Sequence, residues 1–113
     1  MFTRILVPLD GSALAQRVLT VAARLARALN GTLILVRVVQ PPLQPAVSLP
    51  PPIEVEDEIL AAELDQAKEY LAQMTQRPEL VGITCETVTP IGYPAEMILE
   101  AVQTQRADSI ILL

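Results

Sequence analysis

Asp10 is the residue of this chain best placed to do chemistry, because it follows a short apolar run and precedes a helical pattern. The segment reads RILVPLDGSALAQRVL, residues 4–19. A carboxylate where a buried strand passes into a helix lies at the sheet edge where α/β proteins bind ligands. An Asp-Gly-Ser sequence also makes a tight turn with its own backbone, which needs no ligand. On the residues alone, both interpretations of Asp10 stay open.

The composition excludes several classes of catalytic and metal site. The 113-residue chain contains no histidine and only one cysteine, Cys85. Disulfide frameworks, zinc sites and histidine-based acid–base chemistry are therefore excluded. No carboxylate cluster has metal-ligand spacing, and Asp10 has no second acid beside it. We expect a protein that is not an enzyme, holds no metal site, and uses Cys85 as a small apolar residue in a strand.

The charge balance limits the partners. A formal net charge of −5 argues against nucleic acid, since a phosphate backbone normally needs a basic surface. A single nucleotide is still compatible, because backbone N–H groups and a metal ion can meet its charges. Neither a signal peptide nor a membrane-spanning run is visible in the sequence. The expectation is a cytoplasmic protein that binds neither nucleic acid nor a membrane.

Strand-like runs alternate with helical patterns along the chain. We predict strands over 4–9, 32–39, 82–89 and 108–113, and helices over about 12–29, 54–76 and 94–106. This alternation predicts parallel βαβ units with right-handed crossovers, and hence one α/β, Rossmann-like domain over residues 1–113. The third strand alternates in polarity, which favours a position near a sheet edge. Residues 40–52 are rich in proline and predict a loop between strand two and helix two.

The first helical pattern predicts its own caps and buried face. Ser12 suits the N-cap and Gly31 the position after the helix. Arg37 is a charge in an apolar strand, and we expect its head group to reach solvent while its stem packs. The predicted buried face of the helix comprises Leu14, Val18, Val21, Ala22, Leu25 and Leu29.

Taken together, four segments resemble the universal stress protein family: RILVPLDGS, LILVRVVQPP, IGYPAEMILEAV and ADSIILL. The resemblance implies a three-layer sandwich with a parallel sheet ordered 3-2-1-4-5, of which the first four strands are present here. It also implies a site for ATP, with Mg²⁺, near the ends of strands one and two, and it places Gly92 and Pro94 in a structural turn. The nucleotide-binding residues that it implies are Pro8, Leu9, Asp10, Val38 and Leu112.

One part of the family pattern is missing from this sequence. ATP-binding members hold the triphosphate after strand four with a motif G-x2-G-x9-G followed by Ser or Thr, and this sequence ends at Leu113 without it. We therefore expect ATP to bind this chain weakly or not at all, with little discrimination from adenosine. The alternative is a protein-interaction or dimerisation module of the same fold that binds no nucleotide.

The sequence of the fourth strand predicts that this strand pairs with another polypeptide segment. Without a fifth strand beside it, the run SIILL would leave backbone groups unpaired at an edge, with no charge or proline within it. We expect a homo-oligomer, a dimer at least, or pairing with a missing C-terminal segment, with residues 109–113 buried.

Overall fold

The computed structural model describes residues 3–41 and 53–112, and the side chains of the second range from residue 57 onward. Most of the predicted proline-rich loop, 40–52, lies outside these residues. The elements in chain order are β1 Arg4–Pro8, α1 Ala15–Leu29, β2 Thr32–Val36, α2 Ile53–Thr75, a 3₁₀ turn Pro78–Leu80, β3 Cys85–Val88, α3 Pro94–Thr104 and β4 Ser109–Ile110.

The four strands form one parallel sheet, as the alternation of elements predicted, in the order β3-β2-β1-β4 that the family resemblance implied. The predicted edge position of β3 is therefore confirmed. The register pairs Pro8 at the end of β1 with Val36 at the end of β2, so the two strands end side by side. The Leu9 N–H donates to the Val36 carbonyl oxygen at 2.8 Å, which ties the residue before Asp10 to the neighbouring strand.

The sheet buries apolar side chains on both faces because helices cover both. One face carries Ile5, Val7, Leu33 and Leu35 and packs against α1 and α2. The opposite face, carrying Leu6, Ile34 and Val36, packs against α3 through the buried Ala101. This two-sided burial explains why β1 and β2 read as continuous apolar runs. Fully burying each large aliphatic side chain contributes about 1.5–3 kcal/mol.

Helix α1 is rotated relative to the sequence-based prediction. Leu14, Val21, Leu25 and Leu29 were predicted to be buried, but they are 39–49% exposed. The helix carries two overlapping apolar faces, and periodicity alone does not rank them. Small side chains let a helix axis approach the strands closely, and the face that packs on the sheet is rich in alanine. It consists of Ala15, Val18, Leu19, Ala22, Ala23 and Ala26.

The predicted caps of α1 are also corrected. The helix begins at Ala15, and Leu14 at the N-cap position provides no side-chain hydrogen bond, so Ser12 is not the N-cap. At the other end, Asn30 rather than Gly31 takes the left-handed conformation, with φ of 52°, and its N–H donates to the Ala26 carbonyl oxygen. Asparagine tolerates this conformation better than most residues, because its short polar side chain can bond locally.

The remaining boundaries are close to prediction, with shorter strands. Helices α2 and α3 lie within two residues of the predicted limits, whereas β2 ends at Val36 and β4 contains only Ser109–Ile110. Beyond β2 the chain makes one more parallel bridge, between Val39 and Ile91. In the described part of the chain, no helix is both long enough and apolar enough to cross a membrane.

Candidate functional site

A cavity of about 780 Å³ opens beyond the carboxyl ends of β1 and β2. It lies between the loop after β1, the segment after β2, one side of α2 and the start of α3. A volume in this range is typical of pockets that hold small organic ligands. All five residues proposed from the sequence line this one cavity: Pro8, Leu9, Asp10, Val38 and Leu112.

Asp10 makes the turn between β1 and α1. Its Oδ1 accepts a hydrogen bond from the Ser12 N–H at 2.9 Å, and the side chain is exposed at the cavity mouth. Hydrogen bonding from Ser12 lowers the pKa of Asp10 below its usual range, so the carboxylate is charged at neutral pH. A carboxylate accepts several hydrogen bonds, so the turn leaves acceptor capacity for a ligand. The two interpretations of Asp10 are therefore compatible.

Gly11 allows the Arg37 guanidinium to approach the backbone of the turn after β1 closely. Its φ of +82° is a left-handed conformation that side chains disfavour. A Cβ placed there would lie 2.9 Å from Arg37 Nη1, so the guanidinium rests against the Gly11 backbone. Glycine at this position is needed both for the turn and for the space that Arg37 occupies.

Arg37 contributes to the cavity, a role that the sequence did not predict. Its side chain is half-buried and lines the cavity. Its guanidinium carbon lies 5.3 Å from the centroid of the Tyr70 ring. This separation is a cation–π contact, which favours a partly desolvated arginine over an aromatic face. The guanidinium lies inside the cavity because the Tyr70 ring offers it a face to stack on.

Helix α2 contributes a polar wall that the sequence analysis missed. Glu63, Gln66, Ala67 and Tyr70 all line the cavity, and their spacing places them on one side of the helix. The Tyr70 hydroxyl is buried without a hydrogen-bond partner among the described residues, and burial raises its pKa. The spacing of Glu63, Gln66 and Tyr70 was visible in the sequence, but nothing there placed this stripe beside Asp10.

The opposite wall of the cavity is apolar. Val38 is half-buried and packs with the core on the α3 side, and Pro94 and Ile98 of α3 line the same wall. Pro94 is the first residue of α3. Gly92 precedes it with φ of +153°, and a Cβ there would lie 2.6 Å from Met97 Cγ. Gly92 and Pro94 therefore shape the turn, in the structural role predicted for them.

Cys85 behaves as the sequence indicated. It lies half-buried in β3 against the core on the α1 side, and burial raises the pKa of its thiol. Among the side chains described, those of residues 3–41 and 57–112, no three His, Cys, Asp or Glu are grouped so as to hold a metal ion.

A parallel sheet ordered 3-2-1-4, with helices on both faces and a cavity beyond its carboxyl ends, defines a Rossmann-like α/β protein. The model of the universal stress protein family matches residues 1–113, and the chain belongs to that family.

Solved structures are similar to the chain over nearly its whole length. Universal stress protein UspA from Lactobacillus plantarum is 29% identical, with a TM-score of 0.76, covering 98% of this chain and 76% of that one. A family member from Burkholderia pseudomallei is 26% identical, with a TM-score of 0.65, covering 96% and 79%. A universal stress protein from Archaeoglobus fulgidus in complex with dAMP is 22% identical, with a TM-score of 0.56, covering 97% and 78%. A search of curated proteins returned no match.

Proposed function

We propose that this chain is a non-catalytic module that binds an adenine nucleotide in the cavity beyond β1 and β2. The observation that carries the proposal is the placement of the Asp10 carboxylate opposite the apolar wall of Val38 and Ile98 in a single cavity. A flat base needs apolar surface against its faces and a polar group at its edge, and this cavity offers both. The A. fulgidus protein, which shares the fold, was determined with dAMP bound.

Asp10 supports selection of adenine over guanine. An ionised carboxylate accepts hydrogen bonds but cannot donate one. Adenine presents an amino group at its 6 position, whereas guanine presents a carbonyl oxygen that would face the carboxylate unfavourably. An aspartate is ionised at neutral pH, and the hydrogen bonds from Ser12 lower the pKa of Asp10 further, so this discrimination operates under physiological conditions.

ATP with Mg²⁺ fits the described residues only in part. The base half of the site is present, but the sequence contains no G-x2-G-x9-G motif. The described residues also group no acids that would hold a cation. When bound, Mg²⁺ would supply charge neutralisation for a triphosphate. The residues named above would act on the base, so we still expect weak binding of ATP. A cytoplasmic location is also part of the proposal.

Calorimetric titration of adenosine and guanosine tests the proposal. We expect adenosine to bind more tightly than guanosine, and Asp10→Ala to weaken adenosine binding by about ten- to a hundredfold, because a charge-assisted hydrogen bond is lost. Asp65→Ala is the matched control, since Asp65 is an exposed acid of α2 that does not line the cavity. Equal affinities for both nucleosides, or unchanged adenosine binding in Asp10→Ala, would contradict the proposed role of Asp10.

The exposed face of α1 favours a second candidate function, an interaction or dimerisation module. Four large apolar side chains lie at successive spacings of seven, four and four residues from the N-cap along this helix, and all are exposed: Leu14, Val21, Leu25 and Leu29. A run of exposed apolar side chains along one element is a common mark of a protein-binding surface. This surface is separate from most of the cavity lining, so binding of a nucleotide and of a partner are compatible.

A further inference from the structure

The guanidinium of Arg37 is a half-buried cation at the polar wall of the cavity. Asp10 is near enough for its charge to interact with that of Arg37, but no described carboxylate forms an ion pair with the guanidinium. Among the side chains that the structure describes, residues 3–41 and 57–112, the ion pairs are Arg4 with Glu86 and Arg77 with Glu79, and neither involves Arg37. None of the side-chain hydrogen bonds in this part of the chain involves Arg37 either. Its protein contacts are the ring of Tyr70 and the backbone at Gly11. A guanidinium carries five N–H donors, and these contacts leave them unused.

The surroundings of Arg37 also hold it in one place. The Tyr70 ring supports one face of the guanidinium, and the bare Gly11 backbone allows the close approach that a side chain would prevent. An arginine stacked on an aromatic ring loses less conformational freedom when it then binds an anion. The nearby Tyr70 hydroxyl is a second polar group without a hydrogen-bond partner among the described residues.

We propose that Arg37, held over Tyr70, binds the phosphate of the nucleotide and thereby makes a nucleoside monophosphate the preferred ligand of this cavity. This inference rests on the proposed function, since it presumes that the base binds at Asp10 and Val38. The planar fork of arginine matches two phosphate oxygens at once, which a lysine does not do. Arg37 directly precedes Val38 in the chain, so one segment carries both the cation and part of the apolar wall.

The charge of the cavity favours one phosphate over three. Arg37 is the only Arg or Lys among the residues that line it, whereas Asp10 and Glu63 contribute negative charge. A phosphate monoester carries about 1.5 to 2 negative charges at neutral pH, which one guanidinium partly neutralises. The further phosphates of a triphosphate add negative charge for which the described cavity lining offers no second cation. The gain in affinity should therefore come with the first phosphate and be lost with the next two, so that ATP binds about as weakly as adenosine.

The test compares adenosine, AMP and ATP by calorimetric titration at low ionic strength. We expect AMP to bind about ten- to a hundredfold more tightly than adenosine, and ATP to bind about as weakly as adenosine. The gain from the phosphate should shrink as salt is added, because the interaction is between charges. Arg37→Gln should abolish the preference for AMP over adenosine, measured as the ratio of the two affinities in the same variant.

Two variants and one spectroscopic measurement complete the design. Arg24→Gln is the matched control, because Arg24 is an exposed arginine of α1 that does not line the cavity. Arg37→Lys retains the charge without the planar fork, so it should keep part of the preference. In the unmodified chain, the side-chain ¹⁵N signal of Arg37 should shift on addition of AMP but not of adenosine.

The outcomes separate the two proposals. If adenosine binds and AMP binds no better, the role of Arg37 is overturned while the adenine site stands. The same holds if Arg37→Gln, shown to be folded by its thermal unfolding curve, keeps the full preference for AMP. If neither adenosine nor AMP binds, both proposals are overturned.

Discussion

The Arg37 guanidinium carbon lies 5.3 Å from the centroid of the Tyr70 ring, and this contact joins the segment after β2 to helix α2. The two residues are 33 positions apart in the sequence, with the proline-rich segment between them. Their contact defines the polar wall of the cavity, because it holds a cation and an unpartnered hydroxyl near Asp10. Several properties of this pair and its surroundings can be measured.

Tyr70→Phe should leave the folded state as stable or more stable. The substitution removes a buried hydroxyl for which the described part of the chain offers no hydrogen-bond partner, and leaving such a group unsatisfied costs about 1–3 kcal/mol. The ring, and with it the contact to Arg37, is retained. Urea unfolding measures the change, with Tyr70→Leu as the variant that also removes the aromatic face. A loss of more than about 1 kcal/mol in Tyr70→Phe would show that the hydroxyl has a partner in the folded protein.

Gly11→Ala should destabilise the chain more than Gly82→Ala. Both glycines have nearly the same φ, +82° and +83°, so both substitutions carry the same conformational strain, about 1–2 kcal/mol. The new Cβ at position 11 also meets Arg37, whereas nothing lies within 4 Å at position 82. The difference between the two unfolding free energies therefore measures the displacement of Arg37. Equal losses would mean that the guanidinium does not rest on Gly11.

Leu19→Ala and Leu25→Ala test the orientation of α1. Leu19 is fully buried and Leu25 is 39% exposed, although both lie on the same helix. We expect Leu19→Ala to cost about 2–5 kcal/mol, and Leu25→Ala less than about 1 kcal/mol. Chemical denaturation of both variants measures the two losses. The reverse order would restore the face that the sequence predicted.

The pH dependence of stability should reveal the Asp10 turn. The folded state lowers the pKa of Asp10 through its bonds with Ser12, so it favours the charged form. The resulting stabilisation is present above the pKa of the unfolded chain, and it is lost as the pH falls through the lower pKa of the folded state. Asp10→Asn should thus differ most from the unmodified chain near neutral pH and least in strong acid. If the difference in stability between Asp10→Asn and the unmodified chain instead grows as the pH falls, this prediction is contradicted.

The affinity for adenosine should depend on pH through the ionisation of Asp10. Because Asp10 titrates below its usual range, affinity should be nearly constant from about pH 8 to about pH 5 and then fall in acid. Titrations across this range provide the measurement, with the Asp65→Ala control expected to behave identically. A loss of affinity centred near neutral pH would point to a group other than Asp10.

The position of strand β4 at one end of the sheet predicts that the chain forms a homodimer. It lies at one end of the sheet order and pairs with β1, and no strand in the described part of the chain pairs with its other edge. We propose that this edge and the apolar face of α1 are covered in a homodimer, which light scattering over a dilution series would detect. Amide exchange should then be slow at residues 109–112. A monomer at high concentration with fast exchange there would contradict the proposal.

The sequence by itself determined the architecture of this protein. The order of elements, the parallel sheet and the edge position of β3 followed from alternation of strand and helix patterns, because a strand buried on both faces must be apolar throughout. The position of Asp10 at the end of β1 followed as well, since the strand and the turn are adjacent in the chain. Local patterns determine what depends on neighbouring residues.

The tertiary structure alone decided which surfaces meet. Periodicity could not distinguish the two apolar faces of α1, and the face bearing Ala22 and Ala26 is the buried one because it packs closely on the sheet. The direction of Arg37 depended on Tyr70, which lies on a helix that the sequence does not place beside β2. Contacts between residues distant in the chain are set by packing of whole elements, and no local pattern contains that information.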